Sequence, residues 1–256
     1  MIDNPYSLVF GKEPRQLLTR YPDNIDIIEN FESENSNHVF MITGIRGSGK
    51  TVMMTNIAKH FKSDSSWIVV NLSPDMDLLE SFASELGNNP DLNKLFKVAG
   101  LSISLYGIQI ELKNSTPITD SKVAVTRMLE IVKKNKKKIL VTIDEVVNNK
   151  SVKVFSSVFQ ILLREDLPIY LIMTGLHENI RALQDEKTLT FLYRAPRLEL
   201  QPINLGNISR NYKKTFEIND ADSKEMAKLT LGYPFAFQVL GYLTWNENGD
   251  YNSVID

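Results

Sequence analysis

The chain has 256 residues, of which 43% are hydrophobic and 23% charged, and its formal net charge is −2. That length holds one or two domains with a sizeable core, and the balance supplies no global basic field demanding a nucleic-acid partner. There is no cysteine, which excludes disulfides, thiolate metal sites and cysteine nucleophiles, while His38, His60 and His177 stand too far apart for a zinc-ligand spacing. The opening Met1-Ile2-Asp3-Asn4-Pro5 has no basic-then-apolar leader pattern, and no apolar run approaches the ~20 residues of a membrane span. A cytoplasmic protein without a membrane partner is the expectation.

Residues 1–20 carry Pro5, Gly11 and Pro14 and read as an irregular arm. Ile25, Ile28 and Phe31 predict a helix over 22–34. Residues 38–43 form a strand-like apolar run, and Met53, Ile57 and Phe61 predict a helix reaching about Phe61. Trp67–Leu72 is a second apolar run, suited to a buried parallel strand. A helical pattern extends from Pro74 to about Leu86 and breaks at Gly87-Asn88-Asn89-Pro90. Two alternating runs, 101–105 and 108–112, joined at Tyr106-Gly107, predict an inserted β-hairpin. Asp120 or Thr119 can cap a following helix that carries Val123, Met128, Leu129 and Val132.

That helix ends in Lys133-Lys134-Asn135-Lys136-Lys137-Lys138, where positive charge complements the helix dipole; a solvated helix end is weighed against an acidic or nucleic-acid contact. Ile139–Ile143 is a third strand, ending at Asp144-Glu145. Asn148-Asn149-Lys150-Ser151 forms a loop and cap, and Val154, Phe155, Val158, Phe159 and Leu162 make one helical face. A fourth strand covers 169–174, one or two helices fill 177–194, and Arg197–Leu200 is a fifth strand. Helices at about 204–216, 220–231 and 234–246 follow Pro202. Strands alternating with helices predict an α/β fold, a parallel sheet flanked by helices, at 1–201, with a helical lid at 202–256.

Chemistry concentrates at Gly44-Ile45-Arg46-Gly47-Ser48-Gly49-Lys50-Thr51, which fits the phosphate-binding pattern G-x-x-x-x-G-K-[ST] without mismatch, between a strand and a helix. Glycines let the backbone wrap and turn its N–H groups inward, and the helix N-terminus adds its positive end. Lys50 is expected to reach the outer phosphates and Thr51 to offer its hydroxyl to Mg²⁺, with Val52 continuing the binding stretch. Asp144, at the carboxyl end of a buried strand, is the expected second Mg²⁺ ligand, and Glu145 is placed to polarise the attacking water. Thr174 ends the fourth strand on the same edge; a hydrogen bond to the γ-phosphate or its water competes with a plain turn role. Arg194 and Arg197 are candidates for spreading over γ-phosphate charge, against ordinary surface salt bridging.

Gly232-Tyr233-Pro234 fixes a sharp corner, since glycine can close one helix and proline open the next. Together, Gly44–Thr51, Ile139–Glu145, Thr174, Arg194 and the helical lid resemble a P-loop ATPase of the AAA+ type. The corner, with the stretch Phe237–Trp245, resembles the lid of the STAND and origin-recognition-like branch, where a G-x-P corner replaces the lid arginine near the nucleotide. Asn4-Pro5-Tyr6 with Phe10-Gly11, and Phe191–Ala195, are similar to bacterial ATP-binding proteins of that group. The resemblance implies ATP and Mg²⁺ as ligands, with Phe10 and Pro234 near the nucleotide. It implies a homo-oligomer, and a DNA or protein partner held by a winged-helix domain, which this chain would lack after Asp256. It departs at Val147, where relatives often carry histidine. The expected function is an ATP-binding, Mg²⁺-dependent ATP-hydrolysing module acting as a nucleotide switch. Its rivals are a non-hydrolysing ATP-gated scaffold, a DNA-loading initiator and a small-molecule kinase, for which no acceptor motif is seen.

Overall fold

Short runs of branched apolar residues between helical patterns dictate a sheet buried on both faces. The computed structural model describes residues 3–9, 22–104, 109–112 and 120–255. The elements, in chain order, are α1 (Pro22–Glu32), β1 (Val39–Thr43), α2 (Lys50–Lys62), β2 (Trp67–Leu72), α3 (Leu78–Asn88), α4 (Pro90–Val98), β3 (Leu101–Ser104) and β4 (Gln109–Leu112). They continue with α5 (Ser121–Lys134), β5 (Lys138–Ile143), α6 (Lys150–Arg164), β6 (Ile169–Gly175), α7 (His177–Gln184), α8 (Thr190–Arg194) and β7 (Arg197–Glu199). The C-terminal helices are α9 (Leu205–Phe216), α10 (Asp220–Leu229), α11 (Pro234–Asn246) and α12 (Asn252–Ile255). No helix among the described residues is long and apolar enough to cross a membrane.

The contacts divide the chain into two compact units, one of residues 27–43 and 57–198, the other of 1–26, 44–56 and 199–256. The first holds a sheet of order β2-β5-β6-β1-β7. Strand β1 pairs with β6, β6 with β5 and β5 with β2, all parallel. Ile143 stands opposite Met173 and Thr43 opposite Gly175, so β1, β5 and β6 end level at their carboxyl edge. Phe82, Phe96, Met128, Phe155 and Phe159 pack into one core with Val141, Leu171 and Met173 of the sheet.

Several sequence expectations shift. In α1 it is Ile27 and Phe31, at i and i+4, that are buried, while Ile25 is exposed. In α6 Val152 is buried and Val154 exposed, and in α5 Val123 is exposed. The helix expected from Pro74 begins at Leu78, because Asp77 accepts from the Glu80 N–H as its cap. Helix α4 is unforeseen: Asn89-Pro90 reads as a break, yet Asn89 accepts from the Asp91 and Leu92 N–H groups and Pro90 occupies the first turn, so the same pair starts a helix. Strands β3 and β4 form the expected antiparallel hairpin, with Ser104 paired to Gln109; residues 105–108, among them the expected joint Tyr106-Gly107, lie outside the described residues.

The lysine run is largely occupied within the protein. Lys133 donates to the Asp166 carbonyl at 2.6 Å and to its carboxylate at 2.7 Å, and Lys137 donates to the Ser65 carbonyl at 2.8 Å. Lys138 lies 4.9 Å over the Trp67 ring. The Asp166 carboxyl is held below the usual range by Lys133, first through its hydrogen bond and then through its charge.

The second unit packs Tyr6, Ile203, Ile208, Tyr212, Met226, Phe237 and Tyr251 into its own core. Three of those aromatics carry hydroxyls that burial must satisfy, and Tyr251 donates its own to Asp222 and Glu225 at 3.3 Å. Tyr6 donates to Asn211 at 2.8 Å and Tyr212 to the Phe237 carbonyl at 2.8 Å. Burial pushes both phenols well above the ordinary tyrosine range. Residues 3–9 of the arm therefore join this core: Asn4 donates to the Tyr242 carbonyl and the Ser7 N–H to Gln238 on α11.

Candidate functional site

The phosphate loop runs from the end of β1 into α2. Its tip is a turn closed by the Ser48 N–H on the Ile45 carbonyl at 3.3 Å. Gly47 at φ 76° and Gly49 at φ 91° take left-handed conformations that side-chain-bearing residues enter at a cost. Lys50 is buried at 8% exposure, and its ammonium donates to the Gly44 carbonyl at 3.0 Å and the Ile45 carbonyl at 2.8 Å. Burying a cation requires such partners, and these anchor the charge inside the loop's curve. The Ser48 hydroxyl is buried with no hydrogen-bond partner among the described residues, an orphan donor within a glycine-lined turn. A lysine, an orphan hydroxyl and left-handed glycines are a donor set suited to a phosphate group. Thr51 and Val52 lie half-buried in the first turn of α2, and Ile45 and Arg46 are exposed at the tip.

Gly47 also meets the C-terminal helices. Its carbonyl accepts from the Phe235 N–H at 3.2 Å, next to Pro234 in the first turn of α11. The sequence does not single out Phe235, because the contact is made by its main chain and no side-chain motif signals it.

The acidic turn belongs to the sheet. Asp144 follows β5 and is half-buried; Glu145 is exposed, with φ 52°, in the left-handed region. Thr174, fully buried at the end of β6, holds this conformation from three directions. Its hydroxyl donates to the Asp144 carboxylate and accepts from the Glu145 N–H at 3.2 Å, and its carbonyl accepts from the Val146 N–H at 2.8 Å. The same Asp144 oxygen accepts from the Glu145 N–H at 3.0 Å. The structure thus brings Asp144, Glu145 and Thr174 together. A half-buried carboxylate at a strand end is a hard oxygen donor suited to a divalent cation such as Mg²⁺.

The chain beyond the turn is also pinned. Asn149 caps α6 through the Val152 N–H and donates to the Pro74 carbonyl at 2.9 Å. Ser151 donates to the Met76 carbonyl at 2.6 Å and accepts from the Leu78 N–H at 2.9 Å. Arg194 ends α8 and is exposed beside Tyr193, which is 74% exposed; Arg197 opens β7 and is exposed. Phe10 lies outside the described residues.

A glycine-rich loop between strand and helix, an Asp-Glu pair at the end of β5, one strand removed from β1 in a parallel five-stranded sheet, and helices on its faces define a P-loop ATPase fold of the AAA+ class. Within that class, the sequence profile of an ATPase domain predominantly from Archaea matches residues 22–169, and the chain belongs to this family. The fold is that of the origin-recognition proteins. Cdc6p from Pyrobaculum aerophilum superposes with a TM-score of 0.60 at 11% identity, over 98% of this chain and 68% of that one. The ORC2 protein of Aeropyrum pernix, in ADPNP–ADP complexes, gives 0.58 at 12% identity, over 93% of this chain and 64% of that one. The ORC1 protein of Aeropyrum pernix, in complex with DNA, gives 0.54 at 12% identity, over 91% and 62%. The chain therefore spans 62% to 68% of the length of these proteins. No curated protein sequence matches it.

Proposed function

We propose that the chain is an ATP-binding, Mg²⁺-dependent ATPase module that uses its nucleotide state to switch an attached domain or assembly. The observation that carries this reading is the buried Lys50 ammonium, tied to two loop carbonyls inside a turn whose Ser48 hydroxyl is an orphan. In this reading Gly44 to Val52 are assigned to the phosphates, Phe10 and Pro234 to the base, and Thr51 and Asp144 to Mg²⁺. Mg²⁺, when bound, neutralises charge on the phosphates. Glu145 takes a proton from the attacking water, and Thr174 keeps Asp144 and Glu145 in place for that step. Arg194 serves the γ-phosphate of a neighbouring copy. Residues 1–201 act as the α/β core and 202–256 as the lid, in the cytoplasm. The ADPNP–ADP complexes of the ORC2 neighbour support the nucleotide assignment, and the DNA complex of ORC1 supports extending it to a DNA partner.

Calorimetric titration with ATP tests the phosphate loop. Lys50→Ala is expected to weaken affinity on the order of 10- to 100-fold, the range of charge-assisted hydrogen bonds, with the circular-dichroism spectrum unchanged. Equal affinity for wild type and variant would overturn the assignment.

A further inference from the structure

Helix α11 starts with little capping of its own. Its N-cap, Tyr233, makes no side-chain cap hydrogen bond, and Pro234 removes one first-turn N–H altogether. The Phe235 N–H, next in line, goes outside the helix to the Gly47 carbonyl. The approach is close: a Cβ on Gly47 would lie 3.0 Å from the Phe235 Cβ, in a residue whose φ is already 76°.

The start of α11 is itself held from behind. The Ile203 N–H donates to the Gly232 carbonyl at 2.7 Å, and a Cβ on Gly232 would lie 2.7 Å from the Ile203 carbonyl oxygen. The Gly232 N–H donates to the Thr230 hydroxyl at 3.1 Å, which donates in turn to the Ala227 carbonyl at 2.7 Å. Tyr233 closes the corner with its N–H on the Thr230 carbonyl at 2.9 Å. A corner tied to the entry of α9 and the end of α10 therefore presents one main-chain donor to the tip of the phosphate loop.

We propose that Phe235 is a positioning residue: its amide, aimed by the Gly232-Tyr233-Pro234 corner, fixes the peptide plane that follows Gly47, so that seating of the C-terminal helices and grip on phosphate are one event. This rests on the phosphate-binding reading above. The Phe235 ring, 59% exposed, is incidental to the role. Because the contact stabilises a loop already folded around its ligand, its loss appears in the rate at which nucleotide leaves.

The test follows dissociation of a fluorescent ATP analogue from the whole chain by stopped flow. Phe235→Ala keeps the amide and removes the ring; Phe235→Pro removes the amide at a first-turn position where proline is tolerated. An amide-to-ester replacement of the Pro234–Phe235 linkage removes the same N–H and keeps the ring, which covers the case where Phe235→Pro folds poorly. Dissociation about two- to tenfold faster in the proline and ester forms, the span of one neutral hydrogen bond, with alanine like wild type, is the expected result. Equal rates in the ester form and wild type overturn the positioning role. A wild type that binds no ATP analogue overturns the phosphate reading itself, and the inference with it.

Discussion

Two stretches of this chain enter left-handed backbone space at proposed functional positions: the phosphate loop at Gly47 and Gly49, and the acidic turn at Glu145. In the loop the residues with positive φ are glycines, which adopt that conformation without steric penalty. In the acidic turn the residue is a glutamate, for which the same region costs about 1 kcal/mol or more. The glutamate is held there by bonds from Thr174 and Asp144 that span β5 and β6. The loop carries its left-handed conformations in its own glycines, whereas the turn has its left-handed residue held by a neighbouring strand. Their sensitivities to substitution should differ accordingly.

The largest effects should fall on turnover. Glu145→Gln keeps size and polarity but removes the proposed base, so phosphate release should fall about 10²- to 10⁴-fold while ATP binding persists. Arg194→Ala, tested beside it, should flatten a wild-type specific rate that rises with protein concentration, because an arginine supplied in trans contributes on the order of 10³-fold or more. Phosphate release measured across a concentration series checks both. A flat wild-type profile, or undiminished turnover in the glutamine variant, would remove the corresponding role.

A smaller effect tests the hold from the neighbouring strand directly. Thr174→Val is nearly isosteric, but it deletes both hydroxyl bonds in a fully buried site. It should cost about 1–3 kcal/mol of stability by denaturant titration, leaving the Glu145 N–H without the threonine oxygen. Turnover should drop about tenfold with ATP affinity within about twofold of wild type, since the loop does not depend on Thr174. A matching loss of ATP affinity would show that the two stretches are not independent in the way their backbones suggest.

The sequence and the structure agree most closely where geometry is local. The loop is legible because glycine spacing, a lysine and a following helix are properties of eight consecutive residues. Strand β2 is legible because Trp67–Leu72 is apolar at every position but Asn71, and the cap at Asp120 because its side chain reaches only three residues ahead. Thr174 is visible as a polar strand end, but its bonds to Asp144 and Glu145 depend on β5 and β6 lying side by side, and no local pattern encodes that. Helix α4 was hidden for another reason: Asn89-Pro90 serves equally as a break and as a start, and only the burial of Leu92 and Phe96 decides between them. Phe235 is the extreme case, a main-chain contact between residues 188 positions apart, to which side-chain identity contributes nothing.

The smallest expected effect separates strain from chemistry at Glu145. At an ordinary position glycine is less stable than alanine by roughly 0.5–1 kcal/mol, because the unfolded chain gains freedom. At φ 52° the order should reverse. Alanine keeps the steric cost of the left-handed region and glycine does not, while both lack the carboxylate, so the comparison cancels any contribution from charge. Glu145→Gly should therefore exceed Glu145→Ala in stability by up to about 1 kcal/mol, read from denaturant midpoints with equal slopes. The Glu145 N–H bonds to Thr174 and Asp144 are main-chain donations and survive in both variants. In a Thr174→Val background one of those bonds is gone, the turn is freer to relax to negative φ, and the glycine advantage should shrink. An alanine variant as stable as the glycine variant in the wild-type background would mean that the turn relaxes at little cost. Glu145 would then not be held in the left-handed region by its neighbours, and the contrast with the phosphate loop would fail at its foundation.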